Sequence, residues 1–155
     1  MLEKDLTQVI EKADIPLHID NIKEYLNWLN PDLTKITTKD FKEAFRYTLL
    51  KGLNFPSDLV FFAHKPKFIN ADTYITYIIL NENREEYAGD IAKAIAWKVQ
   101  VNIYTKEDYD YDNLKEQIIE TLENADMICY DSQELYLDDL EMFHIPIKFK
   151  YKMLK

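Results

Sequence analysis

The stretch Ile95-Ala96-Trp97-Lys98-Val99-Gln100-Val101-Asn102-Ile103 decides how this chain is read. Ile95, Trp97, Val99, Val101 and Ile103 fall on one side of an extended backbone, and Lys98, Gln100 and Asn102 on the other. Side chains of a strand alternate between faces, so period two over this length predicts a strand with one buried and one wet face. Downstream, Asp112 to Ala125 carries Leu114, Ile118 and Leu122 at i, i+4 and i+8, the apolar stripe of a helix that lies on a core. The chain then closes on a second alternating run. Phe143, Ile145, Ile147, Phe149 and Tyr151 point one way, while His144, Lys148, Lys150 and Lys152 point the other. Strand, helix and hairpin in succession predict a sheet with a helix on the face that carries Trp97, Val99 and Val101.

Upstream, Leu2, Leu6, Val9 and Ile10 form the stripe of a first helix that ends near Asp14, where Ile15-Pro16 breaks it. A second helix is expected from Asp20, as N-cap, through Ile22, Leu26 and Leu29 to the stop at Asn30-Pro31. Thr37 and Asp40 have capping-box spacing, so a third helix starts there and buries Phe41, Ala44, Phe45 and Leu49, with Gly52 at its C-terminal cap. Leu59 to Ala63 and Thr73 to Leu80 read as strands separated by the turn-prone His64-Lys65-Pro66-Lys67. The second is apolar on both faces, as in an interior strand or one that a partner subunit covers. Asn81 to Asp90 is polar and acidic, a long loop or a hairpin arm. Pro146 has no N–H to give to a ladder and marks the last strand as an edge or the site of a bulge. Lys148, Lys150 and Lys152 would guard such an edge. The predicted fold is α/β (α+β), a mostly antiparallel sheet with helices on one face. Residues 1–35 form an N-terminal helical extension and residues 36–155 the core domain.

A chain of 155 residues, 47% apolar and 30% charged, makes one domain that can bury about 70% of its unfolded surface. Two glycines leave little room for a phosphate-cradling loop, and eleven tyrosines are either half-buried sheet residues or interface contacts. The net charge of −9 is uneven: residues 81–141 hold 17 acids against 5 bases, and the rest 11 acids against 14 bases. So acidic a region argues against affinity for a phosphate backbone. The single cysteine, Cys129, excludes an internal disulfide and fits a buried thiol in a reducing compartment. Neither a basic-then-apolar leader nor an apolar run of ~20 residues is seen, so a cytoplasmic protein without a membrane span is expected.

Asp108, Asp110 and Asp112 have the spacing that opens a calcium loop. Such a loop needs glycine at its sixth position and glutamate at its twelfth, where this chain has Asn113 and Ile119. Asp112 reads instead as the cap of the following helix. His18, His64 and His144 lack metal-ligand spacing. Cys129 has no basic neighbours to lower its pKa, and Asp138-Asp139 with Glu141 reads as a tight turn between strands. No catalytic, cofactor or metal site is expected, and the chain is read as a non-enzyme.

The order of elements carries a further signal. A helix (Thr38 to Lys51) precedes an extended Lys65-Pro66-Lys67, a strand (Thr73 to Leu80), the acidic Glu85-Glu86-Tyr87-Ala88-Gly89-Asp90 arm, a second strand, a helix and a hairpin. Over residues 38–152 this resembles the tail-terminator (tail-completion, or tail-to-head joining) proteins of long-tailed bacteriophages and prophages. The most similar passages are WKVQVNIYTKE, from Trp97, and FHIPIKFKYK, from Phe143. The resemblance implies a subunit that assembles with itself into a ring, commonly a hexamer, which caps the tail tube and docks it to the head connector. It implies partners in the tail-tube and head-completion proteins, and residence in the bacterial host cytoplasm during assembly and then in the virion. DNA would pass through the ring without being held. On that basis some acids of the arm (Glu82, Glu85, Glu86, Asp90) or of the loop before the helix (Glu107, Asp108, Asp110) are expected to face the channel, the two segments having similar composition. Tyr74, Tyr77, Ile78, Lys148 and Lys150 are expected at subunit contacts. The competing expectation, drawn from the acidic 81–141 region alone, is a small inhibitor or immunity-type protein that binds a basic partner.

Overall fold

A computed structural model describes residues 19–106 and 109–154. The first expected helix, with Ile15, Pro16 and His18, lies outside the described residues, as do Glu107 and Asp108. The described chain forms helices α1 (Ile22–Leu29), α2 (Thr38–Gly52) and α3 (Tyr111–Asn124). Its strands are β1 (Val60–Phe62), β2 (Thr73–Ala88), β3 (Ile91–Thr105), β4 (Ile128–Ser132), β5 (Leu135–Leu137) and β6 (Met142–Leu154). They make one mixed sheet in the order β1-β2-β3-β6-β4, with β5 also paired to β6. Only the short β1 runs parallel to its neighbour; the other pairings are antiparallel. The fold is α+β. Among the described residues no helix is long and apolar enough to cross a membrane.

The alternation in β3 sets the core. Ile95, Trp97, Val99, Val101 and Ile103 are fully buried. Trp97 lies opposite Tyr151, Val99 opposite Phe149 and Val101 opposite Ile147 on β6, while Tyr77 and Ile75 of β2 face Val101 and Ile103. Helix α2 lies on this face, where the Phe41 ring stacks on Trp97 at 4.4 Å. The indole N–H donates to Thr38 Oγ1 at 3.1 Å, so the one polar atom of the largest core side chain is satisfied. Leu114, Ile118 and Leu122 of α3 join the same core, as the stripe at i, i+4 and i+8 predicts. So do Ile22, Tyr25 and Leu26 of α1, which places the described helix of the 1–35 segment on the core domain.

The helix ends obey local hydrogen-bonding rules, in two cases one or two residues from the expected position. The Thr37–Asp40 capping box is formed, with Asp40 N–H donating to Thr37 Oγ1 (3.2 Å) and Thr37 N–H to Asp40 Oδ2 (2.9 Å). The cap of α1 is Asn21 rather than Asp20, because Asn21 Oδ1 accepts from Glu24 N–H at 2.8 Å. Likewise α3 is capped by Asp110, which accepts from Asn113 N–H at 3.3 Å, and Asp112 falls inside the first turn. Gly52 is the last residue of α2 and not a left-handed cap; the residue after it, Leu53, is extended. Its role is helix packing. A Cβ on Gly52 would sit 2.2 Å from Thr121 Cγ2 of α3, and Thr121 Oγ1 donates to the Gly52 carbonyl at 3.2 Å.

Of the two alternatives for Asn81 to Asp90 the structure has the hairpin arm: β2 continues to Ala88 and turns at Gly89-Asp90 into β3, with a register shift at Leu80. Strand β6 is not an edge, since β3 flanks it on one side and β4 and β5 on the other. Pro146 is accommodated because its outer neighbour is interrupted there. Its carbonyl accepts from Gln133 N–H at 3.1 Å, and N and C=O of one strand residue point to the same side. The proline nitrogen therefore faces the gap between β4 and β5, where no ladder bond is lost.

Cutting the buried indole in Trp97→Ala is expected to cost about 3–5 kcal/mol in denaturant unfolding; an unchanged midpoint would contradict the core assignment. Gly52→Ala is expected to lose about 1–3 kcal/mol through overpacking. Most of that loss should return in the Gly52→Ala/Thr121→Ala double variant, and its failure to return would place the strain elsewhere.

Candidate functional site

The buried residues of all three helices cluster with the Trp97 face of the sheet. The opposite face is therefore left to strand side chains and loops. Across it three rings stack in a row: Tyr74 on Tyr104 at 5.0 Å, and Tyr104 on His144 at 4.5 Å. Each sits at an outward position of its strand, and Tyr104 is directly opposite both neighbours in register. Beside the rings runs a polar network centred on Asn102, which is only 6% exposed. Asn102 Nδ2 donates to Thr76 Oγ1 at 3.1 Å, and Gln100 Nε2 donates to Asn102 Oδ1 at 2.7 Å. His144 Nε2 lies 2.8 Å from the same oxygen, so in this arrangement Nε2 carries the proton. Burial holds the His144 pKa below its ordinary value, which favours the neutral ring. Burial likewise pushes the Tyr74 and Tyr104 phenols up.

Over Tyr74, Thr76 and Tyr104 the face hollows into a cleft of about 560 Å³. One lip is the loop after β1, with His64 and Lys65; the other is the β5–β6 hairpin, with Leu137 and Leu140. The Lys65 ammonium lies 5.5 Å from the centre of the Tyr74 ring and donates to the Ile69 carbonyl. No carboxylate pairs with Lys65 or Lys67 among the described residues.

The second unusual feature is an arm. Strand β6 runs to Leu154, opposite Ala94, and beyond that point β2 and β3 pair only with each other among the described residues. Tyr87 faces Ala92, and Ala88 faces Ile91. Tyr87 is 59% exposed and Ile91 65%. Gly89, at φ 64, makes the turn; a Cβ there would touch nothing, so the glycine is required for its backbone angle alone.

The root of the arm is clamped by charge. Glu85 lies 3.8 Å from the Lys150 ammonium and 3.5 Å from that of Lys152, and Glu86 lies 2.6 Å from Lys152. Desolvation would raise the Glu85 pKa, but Lys150, Asn83 and Lys152 together outweigh it and hold the carboxyl below its ordinary value. The hydrogen bond to Glu86, aided by the charges of both glutamates, raises the Lys152 pKa.

These observations sort the residues expected at channel and contacts. Glu82, Glu85, Glu86 and Asp90 all lie on the arm, but Glu85 and Glu86 are neutralised by lysines and Glu82 sits 3.6 Å from Arg84. Asp110 is the cap of α3, and Glu107 and Asp108 lie outside the described residues. The arm and the Asp110 segment adjoin opposite ends of β3. Tyr77 is a correction. It is 3% exposed, packs on Phe45 and accepts from Arg46 Nη1 at 3.1 Å, so it belongs to the core and not to a contact surface. Tyr74 and Ile78 do reach the open face. Lys150 engages Glu85, and Lys148 approaches Asp131 at 4.0 Å. The Asn102 network, the Tyr104–His144 stack and the Leu137–Leu140 lip escaped sequence reasoning. The alternation of β3 and β6 does put Asn102, Tyr104 and His144 on one face, and only the cross-strand register, invisible in one strand, puts them side by side.

The clamp has a defined pH window. A depressed carboxylate pKa stabilises above the ordinary carboxylate value and loses that contribution as pH falls through the folded pKa. A raised lysine pKa stabilises below the ordinary lysine value and loses it as pH rises through the folded pKa. Amide protection factors in residues 82–93, with exchange normalised to the intrinsic rate at each pH, are therefore expected to be flat between pH 6 and 9. They should fall below the carboxylate range, and in 1 M salt at neutral pH; protection that does not change with acid would deny the clamp. Compared with known proteins, the chain matches no family model and no curated protein.

Proposed function

We propose that this chain is a structural assembly subunit of the tail-terminator type, which forms a ring, a hexamer on the resemblance, that caps a tail tube and joins it to the head connector. The observation that carries this proposal is the arm. Two apolar side chains, Tyr87 and Ile91, are displayed at the tip of a two-stranded extension that nothing else in the described chain covers. An assembling subunit could bury both side chains against a partner. The two passages most similar to tail terminators form β3 and β6, the paired central strands from which the arm and the open face are built. Among the described residues no three His, Cys, Asp or Glu side chains converge as metal ligands would. The inhibitor alternative leans on free acids, and it loses ground where Glu85, Glu86 and Asp131 are matched by lysines of β6. Under this proposal the protein assembles in the host cytoplasm and ends at the tail–head junction of the virion.

Light scattering on the eluting full chain, with negative-stain images alone and with tail tubes, tests the proposal. Rings of about six copies, free or seated on tube ends, are expected, together with restored head joining in extracts that lack the protein. A chain that stays monomeric and binds no tube end would overturn the assignment.

A further inference from the structure

The arm and the cleft occur in one chain, and their chemistry matches. The tip is apolar on both faces, with Tyr87 and Ala92 on one and Ala88 and Ile91 on the other, as suits a segment that enters a cleft. The cleft offers an aromatic floor, Tyr74 and Tyr104, and an apolar lip, Leu137 and Leu140. Its volume of about 560 Å³ is in the range that receives ligand-sized groups. Charge gives the arm a direction. Asp90 stands at the turn and Lys93 on the returning strand, while the cleft has Lys65 and Lys67 beside one lip and Asp138, Asp139 and Glu141 at the hairpin of the other. None of these seven is in a salt bridge among the described residues.

We infer that the cleft is the receptor for the β2–β3 arm of a second copy of this chain. The inference deepens the proposed ring and rests on it. A chain cannot fill its own cleft. Tyr74 on the floor and Ala88 at the turn are fourteen residues apart on one strand, roughly 45 Å at the rise of an extended chain. The contact is consequently heterologous: each copy gives an arm and receives one, so the chain of contacts either closes into a ring or runs on as a filament. Asp90 meets Lys65 and Lys67, Lys93 meets Asp138 and Asp139, and the reversed insertion sets like charges together. An arm held in this way is not free to line a channel, which leaves that role to the segment around Asp112.

Two variants of the full chain test this by sedimentation. The first, Tyr87→Ser/Ile91→Ser, removes the tip; the second, Lys67→Glu/Leu140→Glu, spoils the lips. All four positions are exposed, and unchanged circular dichroism and melting confirm the fold. Each variant alone is expected to lose rings, with self-association weaker by roughly a hundredfold. Mixed one to one, they retain a single good arm and a single good cleft and should form a 1:1 dimer and nothing larger. Where wild type forms rings only on tail tubes, the same variants are scored there, and each should fail to cap. Rings in either variant, or no dimer in the mixture, would overturn the arm-in-cleft contact while leaving the ring intact as a proposal. A wild-type chain that is monomeric with and without tubes would overturn both.

Discussion

The structure turns on the register of β3 between β2 and β6. Its apolar residues fill one face without a gap from Ile95 to Ile103; β6 presents an apolar residue opposite each of them, and β2 does so opposite Val99, Val101 and Ile103, with Glu82 and Arg84 opposite Trp97 and Ile95. A slip of one residue would carry Trp97 to the open face and Lys98 into the core, so the buried indole and its stack on Phe41 fix the pairing. Tyr151 packs beside that pair, 6.4 Å from Trp97 and 5.9 Å from Phe41. One strand thereby ties together a helix from early in the chain and the last strand of the sheet.

The same register fixes the open face from the other side. Asn102 is buried although no helix residue of the core cluster reaches it, and every polar atom of its amide has a partner among Thr76, Gln100 and His144. A buried amide with an empty valence would be costly, and a satisfied one constrains its neighbours. Thr76 and His144 come from the two flanking strands, so the network penalises any slip that the apolar face would tolerate. The cleft floor inherits its rigidity from this arrangement.

Much of the fold was legible because it rests on local chemistry. Period two marked β3 and β6, the i, i+4, i+8 stripe marked α3, and the Thr37–Asp40 box marked the start of α2. Misplaced features were those decided by distant residues. Gly52 has the sequence of a cap and the job of a helix contact, and Thr121 lies far along the chain. Pro146 has the sequence of an edge and sits inside the sheet, because Gln133 and its neighbours open a gap that only the three-dimensional pairing reveals. Tyr77 looked like a surface ring until Arg46 and Phe45 closed over it. The candidate site was legible as parts, the acidic arm and the outward aromatics, but not as an exposed tip and a cleft at opposite ends of β2.

A long two-stranded arm with an unpaired edge invites indiscriminate pairing with other strands. Among the described residues the outer edge of β2 is free from Ile78 to Ala88, since β1 pairs only as far as Tyr77. That edge is made a poor template in three ways. The register shift at Leu80 interrupts its regularity, Glu86 adopts a positive φ of 55, and Glu82, Arg84 and Glu85 add charge along it. Hydrogen-bonded addition of a further strand is disfavoured by all three, whereas the side chains at the tip remain apolar and accessible. On the proposed contact, the arm is recognised through its tip and not through its backbone. Recognition by side chains is selective for a matching cavity, which a bare strand edge is not. Under the proposed assembly, this division between a guarded edge and an open tip disfavours strand addition and leaves the side chains of the tip for the partner copy.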